Sequence, residues 1–239
     1  MQMLLNRTER LTCGVTRWTL VGPHPELQPG QFAQVAVPGF YLRRPISICD
    51  WTEDSVTLVF RETGDGTAAM ARTAPGTAVD LLLPLGHGFD PDLCGARPVL
   101  VGGGVGLPPL LGLGRCLLAS GRSPILLAGF RTASDCFLTD TARAMGLACT
   151  IVTEDGSLGE KGFVTDVLPQ LPYDSLCACG PLPMLRALHA MVKVPAQYSL
   201  EERMGCGFGA CMGCSVQTKN GPMRVCAEGP VFPGEVLDW

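Results

Sequence analysis

Short apolar runs separated by turn residues make up the first third of the chain. Such runs cover residues 30–37, 45–49, 56–60 and 78–83. Apolar runs of this length, bounded by Gly, Pro and Asp, are typical of β-strands, and several at this spacing predict a small antiparallel barrel. We therefore expect residues 1–94 to form an N-terminal β-barrel domain.

The pattern changes near residue 95, where apolar strands begin to alternate with longer amphipathic stretches. We predict strands at 98–101, 125–128, 149–152 and 175–178, and helices near 108–119, 134–145, 163–169 and 181–192. This alternation predicts an open parallel α/β domain over 95–196, so the fold class is mixed β and α/β. The segment 197–239 is rich in Gly and Cys and too short for a conventional core. We expect a metal centre to order it as a small third domain.

Composition removes several classes of function. Of the 239 residues, 46% are hydrophobic and only 17% charged, with a net charge of −4, so no basic field is available to bind nucleic acid or an anionic membrane. No apolar stretch reaches the roughly 18 residues of a membrane span. Residues 1–10 lack the apolar segment of a secretion signal. We expect a cytoplasmic protein that binds neither nucleic acid nor membrane.

The cysteines near the C-terminus are the strongest chemical signal. Eight of the twelve are scattered, but Cys206, Cys211, Cys214 and Cys226 form the pattern C-x4-C-x2-C-x11-C. The first two gaps match the plant-type [2Fe-2S] spacing, and the interspersed glycines allow the loop to turn sharply with its amides directed at sulfur. The fourth cysteine arrives sooner than in plant-type ferredoxins. A structural zinc site with four thiolates therefore stays open as the alternative.

Two glycine-containing turns follow predicted buried strands. The first, 102–106, leads into Pro108 and would let backbone amides and a helix N-terminus approach a pyrophosphate. It is not a strict G-x-G-x-x-G motif, because Pro109 takes the place of the last glycine, so a tight structural turn is the alternative. The second is Cys179-Gly180-Pro181, at a strand end where open α/β sheets place ligands. Its alternative is an ordinary helix start.

A diphosphate site is also indicated within the predicted barrel. Arg44 begins the segment Arg-Pro-Ile-Ser, and a Gly-Asp-Gly-Thr turn with Gly66 and Thr67 follows some twenty residues later. Arg44 would supply charge-assisted hydrogen bonds, Gly66 its backbone amide and Thr67 its hydroxyl. Each motif alone is equally typical of a solvated strand end or a hairpin turn. The three histidines show no metal-ligand spacing, and no acid-base arrangement for an organic substrate is present.

The order of these motifs resembles the ferredoxin-NADP reductase superfamily over essentially the whole chain. The segments flanking the cysteines, 199–206 and 226–232, resemble more narrowly the electron-transfer subunits of class 1B, NAD-dependent dihydroorotate dehydrogenases. The resemblance implies FAD in the barrel, NAD on the second domain and a [2Fe-2S] cluster in the third. The residues implied for FAD are Arg44, Pro45, Ile46, Ser47, Val59, Phe60, Arg61, Gly66 and Thr67. Those implied for NAD are Gly103, Gly104, Gly106, Cys179 and Gly180, and the cluster ligands would be Cys206, Cys211, Cys214 and Cys226.

The same resemblance implies a partner. In that family an FMN-containing catalytic subunit oxidises dihydroorotate to orotate for pyrimidine biosynthesis, in a heterotetramer of two catalytic and two electron-transfer subunits. The present chain would pass the electrons from that FMN through the cluster and FAD to NAD+. One alternative is a flavin and iron-sulfur reductase subunit of another complex, such as a ferredoxin-dependent transhydrogenase or a sulfide dehydrogenase. Another is a non-enzymatic redox or metal sensor with a zinc-binding tail.

Overall fold

The computed structural model describes residues 1–239 and contains fifteen β-strands and five α-helices. The strands are β1 Gln2–Thr12, β2 Val15–Val21, β3 Phe32–Val35, β4 Arg44–Trp51, β5 Ser55–Arg61, β6 Ala78–Leu85, β7 Pro98–Gly103, β8 Ile125–Phe130, β9 Ala148–Thr153, β10 Glu160–Lys161, β11 Ser175–Cys179, β12 Ala196–Ser199, β13 Ser215–Thr218, β14 Gly221–Arg224 and β15 Val231–Pro233. The helices are α1 Asp65–Ala71, α2 Pro108–Ala119, α3 Thr139–Ala144, α4 Val164–Val167 and α5 Leu182–Met191.

The first six strands close into an antiparallel barrel in the order β1-β2-β5-β4-β3-β6. Alternate side chains point inward, as the two-residue period of a strand requires. Trp18 and Phe60 meet edge to face in the barrel core, with ring centroids 5.3 Å apart. The Gly-Asp-Gly-Thr motif, expected to be a turn, opens α1 instead.

The second sheet has seven strands in the order β10-β9-β8-β7-β11-β12-β15, all parallel except β15. The chain runs outward from β7 through β8 to β9, then returns to place β11 on the other side of β7. The strand order therefore reverses between β7 and β11, and crevices at such reversals are where open α/β sheets bind ligands.

The C-terminal segment is joined to this sheet at both ends. β12 pairs in parallel with β11, and β15 pairs antiparallel with β12. The expected domain boundary at 196 thus falls on the first residue of a strand. Between β12 and β15 lie the cysteine loop and the small β13–β14 hairpin. Cys214 and Cys226 are buried in one hydrophobic cluster with Phe32 of the barrel and Phe232 of β15.

Helix α2 joins the barrel to the second domain. The Nε of Arg115 donates to the Asp50 carboxylate over 2.8 Å, and its guanidinium lies 4.9 Å from the ring centroid of Trp51. A β-carbon at Gly112 would lie only 2.9 Å from the Trp51 ring, so the glycine allows close approach. The expected fold class is confirmed. No helix of the structure combines the length and apolar character that a membrane crossing needs.

Candidate redox-cofactor site

Arg44 and Gly66, twenty-two positions apart in sequence, are in contact at one end of the barrel. A β-carbon at Gly66 would lie 2.6 Å from Cζ of Arg44, so the guanidinium rests directly on the first turn of α1. The guanidinium also donates to the Leu42 carbonyl and lies 5.0 Å from the ring centroid of Phe40. A planar cation beside a helix N-terminus is chemically suited to a diphosphate.

The Thr67 hydroxyl, expected to contact a diphosphate, has hydrogen-bond partners within the chain. It accepts hydrogen bonds from the amides of Thr63 and Gly64, at 2.9 and 3.2 Å, and donates to the Gly64 carbonyl at 3.0 Å. The hydroxyl therefore holds the start of α1 together. Since the first amides of a helix have no intrahelical acceptor, backbone N–H groups of this turn are the donors left for a ligand.

Strand alternation limits what the expected flavin residues can offer. Phe60 and Ile46 point into the barrel core, and Val59 is buried against the second domain. These three residues therefore have only backbone groups to present. Arg61, at the end of β5, differs because its Nε is buried without a hydrogen-bond partner. An orphaned donor of this kind fits a cofactor-binding position.

A cavity of about 770 Å³ lies at the carboxyl ends of β7, β8, β9 and β11. It contains the expected NAD residues Gly103, Gly104, Gly106 and Gly180, and Arg61 closes it from the barrel side. Its polar lining also includes Arg131, Asp135, Glu154 and Glu201. The size and position suit a dinucleotide at the strand-order reversal.

The two glycine turns at this cavity press against each other. A β-carbon at Gly106 would overlap the Cys179 carbonyl group and lie 2.6 Å from the Gly180 nitrogen. Gly180 has φ +155, and a β-carbon there would lie 3.0 Å from the Gly103 nitrogen. Neighbouring strands β7 and β11 impose this contact, because Cys179 pairs with Gly102. Burial raises the pKa of Cys179 to about 12, aided by the nearby Glu201 carboxylate, so this side chain is a neutral thiol at pH 7.

The four C-terminal cysteines form two pairs. Cys206 Sγ accepts hydrogen bonds from the amides of Ala210 and Cys211, at 3.2 and 3.4 Å, and Cys214 Sγ accepts from the Cys226 amide at 3.4 Å. These amide contacts join Cys206 with Cys211 and Cys214 with Cys226. No three His, Cys, Asp or Glu side chains converge on a single metal position. Paired thiols with amides aimed at sulfur fit a cluster of two irons, each taking two cysteines.

The electrostatics differ between the two pairs. Burial raises the pKa of Cys206, but hydrogen bonds from the Phe208, Cys211 and Ala210 amides outweigh it and bring the value to about 6. Burial, together with the Cys214 thiol, raises the pKa of Cys226 to about 12. Cys206 therefore offers a thiolate readily, whereas Cys226 needs a bound cation to deprotonate it.

An ion pair braces the cysteine loop. Arg224 donates to the Glu228 carboxylate and, through Nη1, to the Gly209 carbonyl at 2.6 Å. The Arg224 guanidinium holds the pKa of Glu228 at about 2 despite some burial. Sequence analysis did not find this pair. The only available signal was the Arg-x3-Glu spacing around Cys226, which is common on any surface.

Sequence analysis also missed Gln34 of β3. Its side chain is fully buried, and neither Oε1 nor Nε2 has a hydrogen-bond partner. The sequence around it, Phe-Ala-Gln-Val, reads as an ordinary strand with its polar residue facing solvent, so no local pattern pointed to this position.

Fold and site together define a reductase of the ferredoxin-NADP reductase type with a C-terminal iron-sulfur segment. A solved NADH-dependent reduced ferredoxin-NADP oxidoreductase superposes with a TM-score of 0.89 over 99% of this chain and 90% of its own, at 25% identity. Phthalate dioxygenase reductase shares the fold, with a TM-score of 0.67 over 80% of this chain and 63% of its own, at 21% identity. Residues 201–238 match the family model of the iron-sulfur cluster binding domain of dihydroorotate dehydrogenase B.

Curated relatives narrow this class. The electron transfer subunit of dihydroorotate dehydrogenase B (NAD(+)) from Shouchella clausii is 45% identical over 88% of this chain and 86% of its own length. That from Bacillus caldolyticus is 43% identical over 88% and 87%. The chain belongs to this family of electron transfer subunits, so the resemblance stated from its motifs is confirmed.

Proposed function

We propose that this chain transfers electrons from an FMN-containing dihydroorotate dehydrogenase catalytic subunit, through a [2Fe-2S] cluster and FAD, to NAD+. The observation that carries the proposal is that the dinucleotide cavity and the cysteine loop both adjoin the barrel. Arg61 of β5 lines the cavity, and Phe32 of β3 shares one hydrophobic cluster with Cys214 and Cys226. A flavin on the barrel would thus lie between the other two groups, as transfer over short distances requires.

The FAD site would combine charge with backbone groups. Arg44 and the amides around Gly66 and Thr67 would bind the pyrophosphate, while Pro45 and Ser47, which are half-buried on β4, would lie along the ring system with the backbone of Ile46. Val59 and Phe60 would contribute backbone contacts, and the unpartnered Nε of Arg61 would donate to the cofactor. When bound, FAD supplies the ability to exchange two electrons with NAD and one at a time with a cluster.

The NAD site would occupy the cavity between the domains. The turn of Gly103, Gly104 and Gly106 would receive the pyrophosphate, and Cys179 with Gly180 would lie beside the nicotinamide. The neutral Cys179 thiol offers packing without a competing negative charge. Hydride transfer needs two rings in register, which the fixed contact between the two glycine turns would provide.

Cys206, Cys211, Cys214 and Cys226 would ligate the cluster. The amide contacts that join Cys206 with Cys211 and Cys214 with Cys226, together with the match of residues 201–238 to an iron-sulfur cluster binding domain, support two irons rather than a single zinc. The catalytic partner would dock near this loop, in a cytoplasmic heterotetramer of two plus two subunits. A relative at 45% identity, an electron transfer subunit of dihydroorotate dehydrogenase B, favours a dihydroorotate dehydrogenase partner over the partner of another reductase complex.

The test is Cys214→Ser in the complex reconstituted with the catalytic subunit. We expect dihydroorotate-driven NAD+ reduction to be abolished, because the cluster loses a ligand, while NADH still bleaches the FAD of the same variant. Cys13→Ser is the matched control, since Cys13 is an exposed thiol outside the cysteine loop, and it should retain both reactions. Full dihydroorotate-driven turnover by the Cys214 variant would overturn the relay.

A further inference from the structure

The outer face of β3 connects the barrel to the cysteine loop. Ala33 and Val35 point into the barrel core, so Phe32 and Gln34 point the opposite way. Phe32 belongs to the hydrophobic cluster that contains Cys214 and Cys226. In the pairing with β4, Phe32 lies opposite Ser47 and Gln34 opposite Pro45. Residues directly opposite in a sheet share a face, so Gln34 lies on the same side as two proposed flavin contacts.

The Gln34 side chain has unused hydrogen-bonding capacity at this place. Its exposed fraction is 0%, and neither Nε2 nor Oε1 has a partner within the chain. The backbone is satisfied separately, since the Gln34 carbonyl accepts from Nη1 of Arg43 at 3.4 Å. A carboxamide offers two donor hydrogens and an acceptor oxygen, and burying all of them unpaired is costly. The arrangement therefore calls for partners from outside the polypeptide.

The carboxamide lies directly against the cysteine loop. A β-carbon at Gly207 would overlap Nε2 of Gln34 and lie 2.7 Å from its Cγ and 2.9 Å from its Cδ. Gly207 has φ +80, which favours glycine, and it immediately follows Cys206. Nε2 thus reaches the backbone next to one proposed cluster ligand, while the strand that carries it borders the proposed flavin site.

We infer that Gln34 is a positioning residue that bridges the two redox groups, donating from Nε2 to a sulfur of the iron-sulfur cluster and accepting at Oε1 from the flavin. This inference rests on the proposed function, since it needs both groups. An N–H donor stabilises the more negative, reduced cluster and so raises its reduction potential. Gln34 would therefore hold the loop against the flavin and adjust the driving force between them.

The test is a redox titration of the purified holoprotein, comparing wild type with Gln34→Met, which keeps side-chain length but loses the amide. At a fixed solution potential we expect the reduced-to-oxidised ratio of the cluster to fall about tenfold, a downward shift of about 59 mV for one electron. The electron paramagnetic resonance spectrum of the reduced cluster should change with it. Gln197→Met is the control, because it removes another buried amide, one that is paired with the Asp90 backbone and lies beside Cys94 and Cys177. Its melting temperature should fall while its potential stays at the wild-type value.

A wild-type potential in Gln34→Met, or an equal shift in Gln197→Met, would overturn the inference. If Gln34→Met fails to retain the cluster, the same titration is made on Gln34→Asn, which keeps the amide but shortens the side chain by one methylene so that it no longer reaches the cluster. Asn should give the same downward shift, and an unchanged potential would refute the bridge. Absence of flavin and cluster absorption in the wild type would instead refute the proposed function.

Discussion

Gly106→Ala tests whether the contact between the two glycine turns shapes the NAD site. The added methyl would overlap the Cys179 carbonyl and lie 2.6 Å from the Gly180 nitrogen, and both obstacles are backbone atoms of a strand end. An ordinary contact would require the turns to separate by about 1 Å. A displacement of that size in a hydride-transfer site lowers the rate by roughly 100-fold. The strain should also lower the free energy of unfolding by about 1–3 kcal/mol.

The assay is anaerobic stopped-flow reduction of the bound flavin by NADH, with thermal unfolding measured in parallel. Gly121→Ala is the matched control. Gly121 has a positive φ, +77, which Gly106 does not, and a β-carbon there meets nothing within 4 Å. Its alanine variant should lose about 1–2 kcal/mol from backbone strain alone and keep the wild-type rate of flavin reduction. A wild-type rate in Gly106→Ala would refute the argument that this contact positions the nucleotide.

Three further predictions concern other parts of the structure. Arg44→Ala should weaken FAD binding by at least about tenfold, since charge-assisted hydrogen bonds contribute about 1.5–3 kcal/mol, and Arg44→Lys should restore the affinity only partly. Titration of the FAD-depleted variants with FAD measures both affinities, and an unchanged affinity in Arg44→Ala would contradict the proposed role. Arg115→Ala should lower the melting temperature by about 2–4 °C, because it removes the contacts with Asp50 and Trp51. Arg143→Ala is the control and should have almost no effect, since the ion pair of Arg143 with Asp140 is exposed. Equal shifts in the two variants would show that the Arg115 contact between the domains contributes no stability. The pKa of Glu228 is lowered to about 2, so the ion pair stabilises the protein fully above the unfolded pKa of about 4.3 and loses this effect as the pH falls towards 2. The difference in melting temperature between wild type and Glu228→Gln should therefore shrink between these pH values. A difference that stays constant would contradict the role of the ion pair.

Local patterns predicted four of the six barrel strands, β3 to β6, and strands β7, β8, β9 and β11 of the second sheet, because these carry apolar runs. Strands β1 and β2 were not predicted, because polar residues interrupt their apolar positions. The glycine turn after β7 and the turn after β11 were found because each follows an apolar run, and their meeting followed from parallel pairing. By contrast, the Gly-Asp-Gly-Thr motif begins a helix although two glycines suggest a turn. The Thr67 hydroxyl accounts for this, because it binds the amides of Thr63 and Gly64 and stabilises the first turn.

Features that depend on distant pairing could not be predicted. β15 joins the second sheet antiparallel to β12, across more than thirty residues that include the cysteine loop. Gly207 of that loop lies against the buried Gln34 side chain, and no residue near Gln34 in the sequence indicates this contact. Likewise, the phase of strand β5 directs the side chains of Val59 and Phe60 into packed cores, which leaves their backbone groups for the expected cofactor contacts.

The proposed electron transfer requires FAD and the [2Fe-2S] cluster to be present in one chain and to exchange electrons. An anaerobic visible spectrum of the purified protein, recorded before and after addition of NADH and combined with iron and zinc analysis, tests this. We predict flavin bands together with a broad absorption at longer wavelength, both bleached by NADH, with about two irons and no zinc per chain. A flavin spectrum without the broad absorption, with zinc bound instead of iron, would contradict it.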